Sequence, residues 1–197
     1  SSVPHTQRQS HIFEEYYKDY DAFIASLGKS LAKDHALKVN DQKKFEQWQL
    51  NLPICAYHRV MWELYYRRVL NITAPTVRSP SRVALIPKQI LSAPLFVTYA
   101  VVVATNSIYV SKHLGLFDFE NEYAEFFRKC FIEPKSINDP VAFTNYIYGL
   151  THIIIGASFF YQKAIQREKY QWCLDIFDTY QEEIYNRLTL DINTEVA

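Results

Sequence analysis

Glycine is scarce in this chain: four in 197 residues, at Gly28, Gly115, Gly149 and Gly156. A fold of tight hairpins needs left-handed residues at many turns, so this scarcity argues against an all-β architecture. Cysteine is equally thin. Cys55, Cys130 and Cys173 form no CxxC pair, which excludes a zinc ribbon and a thioredoxin-type redox motif. Net charge is missing too: 21 basic and 21 acidic side chains cancel. That removes the electrostatic attraction on which nucleic-acid binding usually rests, and no nucleic-acid partner is expected. There is no HExxH, and none of the six histidines follows a glutamate by three positions, so the metalloprotease and di-iron bundle patterns are absent. No GxSxG elbow occurs. No metal site and no cofactor are expected.

What is present belongs to a folded globular chain. Hydrophobic residues make up 49% and charged residues 21%, enough apolar surface for a core and too much for a disordered segment. The length fits one domain over residues 1–197, with the polar stretch 1–10 frayed. Fifteen tyrosines and thirteen phenylalanines stand out. They fill a core and its rim, or they line a groove for a sugar or another flat ligand.

Apolar residues recur at a helical period almost throughout. Ile12, Phe13, Tyr16, Tyr20, Phe23 and Leu27 trace one stripe from about His11, and Gly28 stands where a left-handed helix stop belongs. Leu27-Gly-Lys-Ser30 is no phosphate loop, because its first glycine would fall at Phe23. A short helix over 30–38 is followed by Asp41 as an N-cap. Residues 42–70 then read as helix, divided or kinked by Pro53. They carry the cluster His58, Arg59, Glu63, Arg67 and Arg68, in which Arg59 and Glu63 are spaced to pair. Residues 72–89, with three prolines, read as one long functional loop. The stretch Ile90–Ser111 holds no charge. Its strongly apolar part is short and interrupted by Pro94, Thr98, Thr105 and Asn106, so it is expected to be a central buried helix and not a membrane span. Gly115 ends it. Asp118 caps a helix ended by Pro134, with Glu120 and Glu122 in its dipole-favoured first turn. Asp139-Pro140 opens the next, and a last amphipathic helix covers about 166–188. The expected fold is all-α: six to seven helices in antiparallel hairpins, as a bundle or a partial α/α toroid-like stack.

The stretch with most chemistry runs from Tyr146 to Gln162. It carries no charge, two of the four glycines and one imidazole, His152. Tyr148, His152 and Gly156 are four apart and share a helical face. Gly149 and Gly156 are seven apart and would admit a neighbouring helix. Polar groups inside such a helix must find partners. His152 is then a core histidine held by a tyrosine or a carbonyl, or a ligand-orienting or acid–base group with Tyr148, Thr151 and Ser158 beside it. His58 and Glu63 complete the candidate ligand-binding set.

The pattern Tyr148-Gly-Leu-Thr-His-Ile-Ile-Ile-Gly-Ala-Ser158, followed by an aromatic-rich helix and Asp191-x-x-x-Glu195-Val-Ala, resembles a family of uncharacterised exported proteins from marine and enteric gammaproteobacteria. The resemblance covers roughly residues 140–197 and brings no activity. It implies a periplasmic or secreted protein whose leader has been removed, in keeping with the missing initiator Met. The paired aromatic helices are also similar in architecture to the α/α toroids that act on glycans, a likeness that carries no function by itself. The leading expectation is a non-enzymatic binding domain for a small molecule, a glycan or a protein, with a pocket near His152 and the loop 72–89. The alternative is a hydrolase or lyase on a carbohydrate-like substrate, with His152 as acid–base and an acid from 118–125 as partner. A structural module of a larger assembly is the third.

Overall fold

The structure, a computed structural model, describes residues 19–35, 42–72, 80–132 and 137–196. The stripe before Asp19, the frayed 1–10, Asp41, Pro75 and Pro134 lie outside the described residues. Within them there are eleven helices and no strand. We number them α1 (Tyr20–His35), α2 (Gln42–Leu50), α3 (Leu52–Val69), α4 (Pro80–Ile90), α5 (Pro94–Tyr99), α6 (Val101–His113), α7 (Glu120–Cys130), α8 (Pro140–Ala157), α9 (Arg167–Thr179), α10 (Gln181–Arg187) and α11 (Leu190–Val196). The all-α expectation holds, and the helices are shorter and more numerous than the periodicity implied.

Several boundaries moved, each for a local reason. Gly28 does not stop a helix; it lies inside α1, whose buried stripe Phe23, Leu27 and Leu31 continues past it. Its carbonyl accepts from Gln49 Nε2 at 3.2 Å. A Cβ here would lie 3.2 Å from the end of the Leu52 side chain, a contact that a small movement of that side chain relieves. Pro53 does divide the 42–70 run, entering α3 in its first turn, where a missing N–H is no loss. The proline-rich loop is half helix: α4 spans 80–90 with Pro87 inside it. The central buried segment begins at Pro94 and breaks at Ala100 (φ −124°, ψ 37°). The break precedes Val101, Val102 and Val103, whose branched side chains resist helical rotamers. Beside it Asn145 Nδ2 donates to the Thr98 carbonyl at 2.9 Å. The last helix breaks at Tyr180, where Thr179 Oγ1 donates back to the Asp175 carbonyl at 2.6 Å, a bond that bends helices. Two termini came out as expected. Gly115 is left-handed at φ 72°, and Asp139 Oδ1 accepts from the N–H groups of Val141 and Ala142.

The core is organised on α6. Ten of its thirteen residues are buried, and it is held between α8, its most extensive neighbour, and α3. The glycines of α8 permit that approach. A Cβ on Gly149 would lie 2.5 Å from Val101 Cγ2 and from the Phe127 ring, and one on Gly156 would lie 2.5 Å from the Tyr109 ring. The three cysteines are free; Cys55 and Cys173 are buried and Cys130 is half-buried. Burial pushes the Cys55 thiol up to about 12 and the Cys130 thiol up to about 11, and it raises Cys173 as well. No described helix is long and apolar enough to cross a membrane.

Two alanine substitutions follow with opposite signs. Gly156→Ala drives a methyl into the Tyr109 ring, and overpacking of this kind costs about 1–3 kcal/mol even against the helical preference for alanine. Gly28→Ala meets only the end of Leu52, 3.2 Å away, and gains up to about 1 kcal/mol of helix propensity. Urea unfolding of the two variants should place their midpoints on either side of the parent.

Candidate functional site

The buried face of α6 carries polar groups that a core helix ordinarily lacks, and five of them have a partner on another helix. Thr105 Oγ1 meets the Tyr123 hydroxyl of α7 at 2.7 Å. Asn106 Oδ1 accepts from His152 Nδ1 of α8 at 3.1 Å. Ser107 Oγ faces His58 Nδ1 of α3 at 3.2 Å and donates to the Val103 carbonyl. Ser111 pairs with the Tyr57 hydroxyl of α3 at 2.6 Å. His113 Nε2 donates to the Gly156 carbonyl of α8 at 2.6 Å. His58 and His152 therefore both bond to α6, and the charge of His152 is among the causes that lower His58. Desolvation is the largest cause of depression in both: His58 falls to about 3 and His152 to about 4. Both imidazoles are neutral at pH 7.

His152 is anchored at one nitrogen only. A carbonyl oxygen accepts and cannot donate, so Nδ1 carries the proton and Nε2 keeps its lone pair. Nε2 has no protein partner among the described residues. The Tyr148 ring stands edge-on to this imidazole at 4.9 Å. One turn along, α11 docks through buried Ile192 and turns Asp191 and Glu195, four apart, toward α8. The Tyr148 hydroxyl donates to Asp191 Oδ2 at 3.4 Å, and Thr151 Oγ1 reaches Glu195 Oε2 at 2.7 Å. The Thr151 hydroxyl also lies 2.9 Å from the Tyr148 carbonyl, and it has one proton for two acceptors. With Glu195 ionised, that proton goes to the carboxylate. With Glu195 protonated, the acid donates to Thr151 and the hydroxyl serves the carbonyl. Burial, and then the charge of Asp191, raise the Glu195 carboxyl against the opposing Thr151 bond.

The sixth member comes from the turn after α8. Its backbone closes with Phe160 N–H on the Ile155 carbonyl and Phe159 N–H on the Gly156 carbonyl, the bonding of a Schellman stop. Such stops usually place one glycine in the left-handed region. Here Phe159, Phe160 and Tyr161 all have positive φ, at 55°, 52° and 70°, and each costs about 1–2 kcal/mol relative to ordinary helix. The first two recover that in packing: Phe159 stacks on His113 at 3.6 Å, and Phe160 lies 4.6 Å from the Trp62 ring. Ser158 holds the turn, donating to the Ile155 carbonyl and accepting from the Tyr161 N–H at 2.9 Å. Tyr161 is 74% exposed. Partial burial, then the charges of Glu195 and Asp191, raise its phenol, which places it in the field of both carboxylates and of Tyr148.

Of the six residues expected to bind a ligand, Tyr148, Thr151 and His152 meet in this seam. Ser158 organises the turn that completes it. His58 faces Ser107 on the far side of α6. Glu63 is buried and its Oε1 takes Arg67 at 2.8 Å, so the expected Arg59–Glu63 pair gives way to the next turn. The catalytic alternative looked for an acid at 118–125 beside His152. Glu120 is instead bound by Lys112, Lys169 and the Tyr170 hydroxyl, which lower its carboxyl despite burial. The acid that raises His152 is Asp191. Sequence reasoning passed over Asn106, Tyr161, Asp191 and Glu195 as site residues. Only the i, i+4 spacing of the last two, on a short C-terminal helix, could have flagged them. Among the described residues no three His, Cys, Asp or Glu side chains are grouped to hold a metal ion.

The model of one family, described as a domain of unknown function (DUF3541), matches residues 86–197, more than half of the chain. That span contains α5 to α11 and every residue of the seam. No curated protein and no solved structure matches the chain.

Both flanking histidines bind a proton more readily when the chain is unfolded, near pH 6.5, than when it is folded. Between pH 6.5 and about 4 the unfolded chain takes up protons that the folded one refuses. Stability therefore falls on acidification, by up to about 1.4 kcal/mol per pH unit per histidine. Urea midpoints at pH 7.5 and 5.0 should differ for the parent, and the difference should shrink in the His58→Asn/His152→Asn double variant.

Proposed function

Since the chain belongs to the DUF3541 family, whose description carries no activity, we propose from its geometry that it is a non-enzymatic binding domain. Its recognition site is the seam of Tyr148, Thr151, His152, Tyr161, Asp191 and Glu195. The observation that carries this reading is Tyr161. A large aromatic ring stands mostly in solvent on left-handed backbone, where its own packing offsets little of the strain. Strain held without a packing return is a mark of a functional position. Two carboxylates and a second tyrosine act on it, and these in turn adjoin the Thr151 hydroxyl and the His152 imidazole, a set of the few polar groups a small-molecule site uses.

A binding role fits better than catalysis because of His152. An imidazole held down to about 4 by burial is a weak proton acceptor at neutral pH, and proton transfer is efficient when the catalytic group titrates near the working pH. Glu195 supports the hydrolase or lyase alternative, since a carboxyl raised beside a second acid is a known way to set up a proton donor. The reading includes an exported, periplasmic or secreted site of action, for which the support is the sequence resemblance over 140–197.

Replacing Tyr161 by glycine separates function from folding. Glycine occupies φ 70° without penalty, so Tyr161→Gly should melt at or above the parent temperature. In a thermal-shift panel of cellobiose, glucose, glutamate and cadaverine, at least one compound should stabilise the parent and leave Tyr161→Gly unmoved. A Tyr161→Gly variant that melts well below the parent would show the ring to be structural.

A further inference from the structure

Twelve large hydrophobic side chains stand exposed among the described residues, and four of them, Tyr66, Val69, Leu70 and Ile72, fall within seven positions at the end of α3. No other stretch of that length holds more than two. Single exposed apolar residues are ordinary, whereas a contiguous group marks a contact surface. These four are between 45% and 61% exposed. Trp62 continues their face one turn back, stacked on Tyr66 at 5.2 Å, and Phe160 carries it across to the turn after α8, 4.6 Å from the Trp62 ring. Both ends of the face are fixed by hydrogen-bonded backbone. At the end of α3 the Ile72 N–H donates to the Arg67 carbonyl and the Asn71 N–H to the Arg68 carbonyl, with Asn71 left-handed at φ 56°. A stop of this kind lays the residue after the left-handed one against the last turn of its helix, so Ile72 stays with the face. At the other end the bond from the Phe160 N–H to the Ile155 carbonyl closes the turn that sets Phe160 on Trp62.

Charge at this place differs from the balance of the whole chain. α3 and the turn over 158–163 carry Arg59, Arg67, Arg68 and Lys163 against one acid, Glu63, which is buried and held by Arg67. Arg59 and Arg68 are exposed. Asp191 and Glu195 act on Tyr161, which marks the edge of the face on the α11 side.

We propose that the end of α3, together with Phe160, docks on an anionic phospholipid surface. Tryptophan and tyrosine favour the boundary between headgroups and acyl chains, and the aliphatic side chains of Val69, Leu70 and Ile72 enter beyond it. Arginine lays its stem along apolar surface and keeps its charged head among the phosphates, and each base near an anionic bilayer adds to the attraction. Size decides against a stable protein partner. Four half-exposed side chains offer a few hundred Å², short of the about 800 Å² that each side of a stable protein interface buries. A bilayer asks for no matching shape and takes a small protruding patch. No described helix is long and apolar enough to cross a membrane, so the contact is peripheral. It is independent of the seam.

Vesicle flotation of the whole chain at pH 7.5 tests this, with mixed phosphatidylglycerol and phosphatidylcholine vesicles against pure phosphatidylcholine. The parent should float with the anionic vesicles and bind the neutral ones at least about tenfold more weakly, as losing the attraction to several bases requires. Leu70→Ser/Ile72→Ser removes only exposed groups, so it should melt with the parent and bind the anionic vesicles at least about tenfold more weakly. Leu190→Ser, at an exposed position on α11, should bind as the parent does. Brominated lipid in the anionic vesicles should quench the tryptophan emission of the parent and leave that of Trp62→Phe unmoved. A parent that floats with neither vesicle overturns the proposal, as do equal binding to both vesicles and undiminished binding by Leu70→Ser/Ile72→Ser. Sedimentation equilibrium without lipid covers the rival occupant. A parent dimer that turns monomeric in Leu70→Ser/Ile72→Ser would assign the face to a second copy and overturn the membrane contact.

Discussion

The arrangement depends on one constraint: a helix that is buried on nearly every side yet carries Thr105, Asn106, Ser107, Ser111 and His113 on its surface. Each of these groups would cost roughly 1–3 kcal/mol if left without a partner in the core. Each finds one on α3, α7 or α8, at a position only one packing register supplies. An apolar helix could rotate or slide between its neighbours with small loss. This one cannot, because a shift of one residue would orphan several groups together. The polar ladder of α6 thus fixes where α8 stands, and with it the face from which Tyr148, Thr151 and His152 emerge.

The same ladder gives His152 a double character. Its Nδ1 is part of the core, and its Nε2 belongs to the seam. A histidine used purely for packing would have both nitrogens committed or lost in apolar contacts. One used purely for chemistry would be more exposed and would titrate nearer neutrality. Here the structural bond sets the tautomer, and the tautomer decides what the free nitrogen can offer a ligand.

Much of this could be read in the residues. The helical period, the Asp139-Pro140 start, the division at Pro53 and the Gly149/Gly156 spacing on α8 all follow from short-range rules that burial does not override. The pattern over 140–197 brought together residues the fold also brings together. Errors arose where tertiary contact decided the outcome. Gly28 resembles a helix stop, but the buried stripe of Phe23, Leu27 and Leu31 carries the helix through it. Glu120 has the position of a dipole-favoured surface acid, but two lysines and a tyrosine draw it inside. The turn at 159–161 is opaque to sequence rules, because no propensity scale expects three bulky residues in left-handed conformation. Asn106 is hidden for a related reason: a lone amide in an apolar run has no period.

The cysteines carry a consequence for where such a molecule can work. Their thiols are apart, sheltered and pushed far from ionisation, and the thiolate is the species that exchanges disulfides or is oxidised. Folding therefore holds all three thiols in their protonated, less reactive form. No bridge ties α3, α7 and α9 together, and the helices of the seam are held by packing and hydrogen bonds, which need neither an oxidising nor a reducing space.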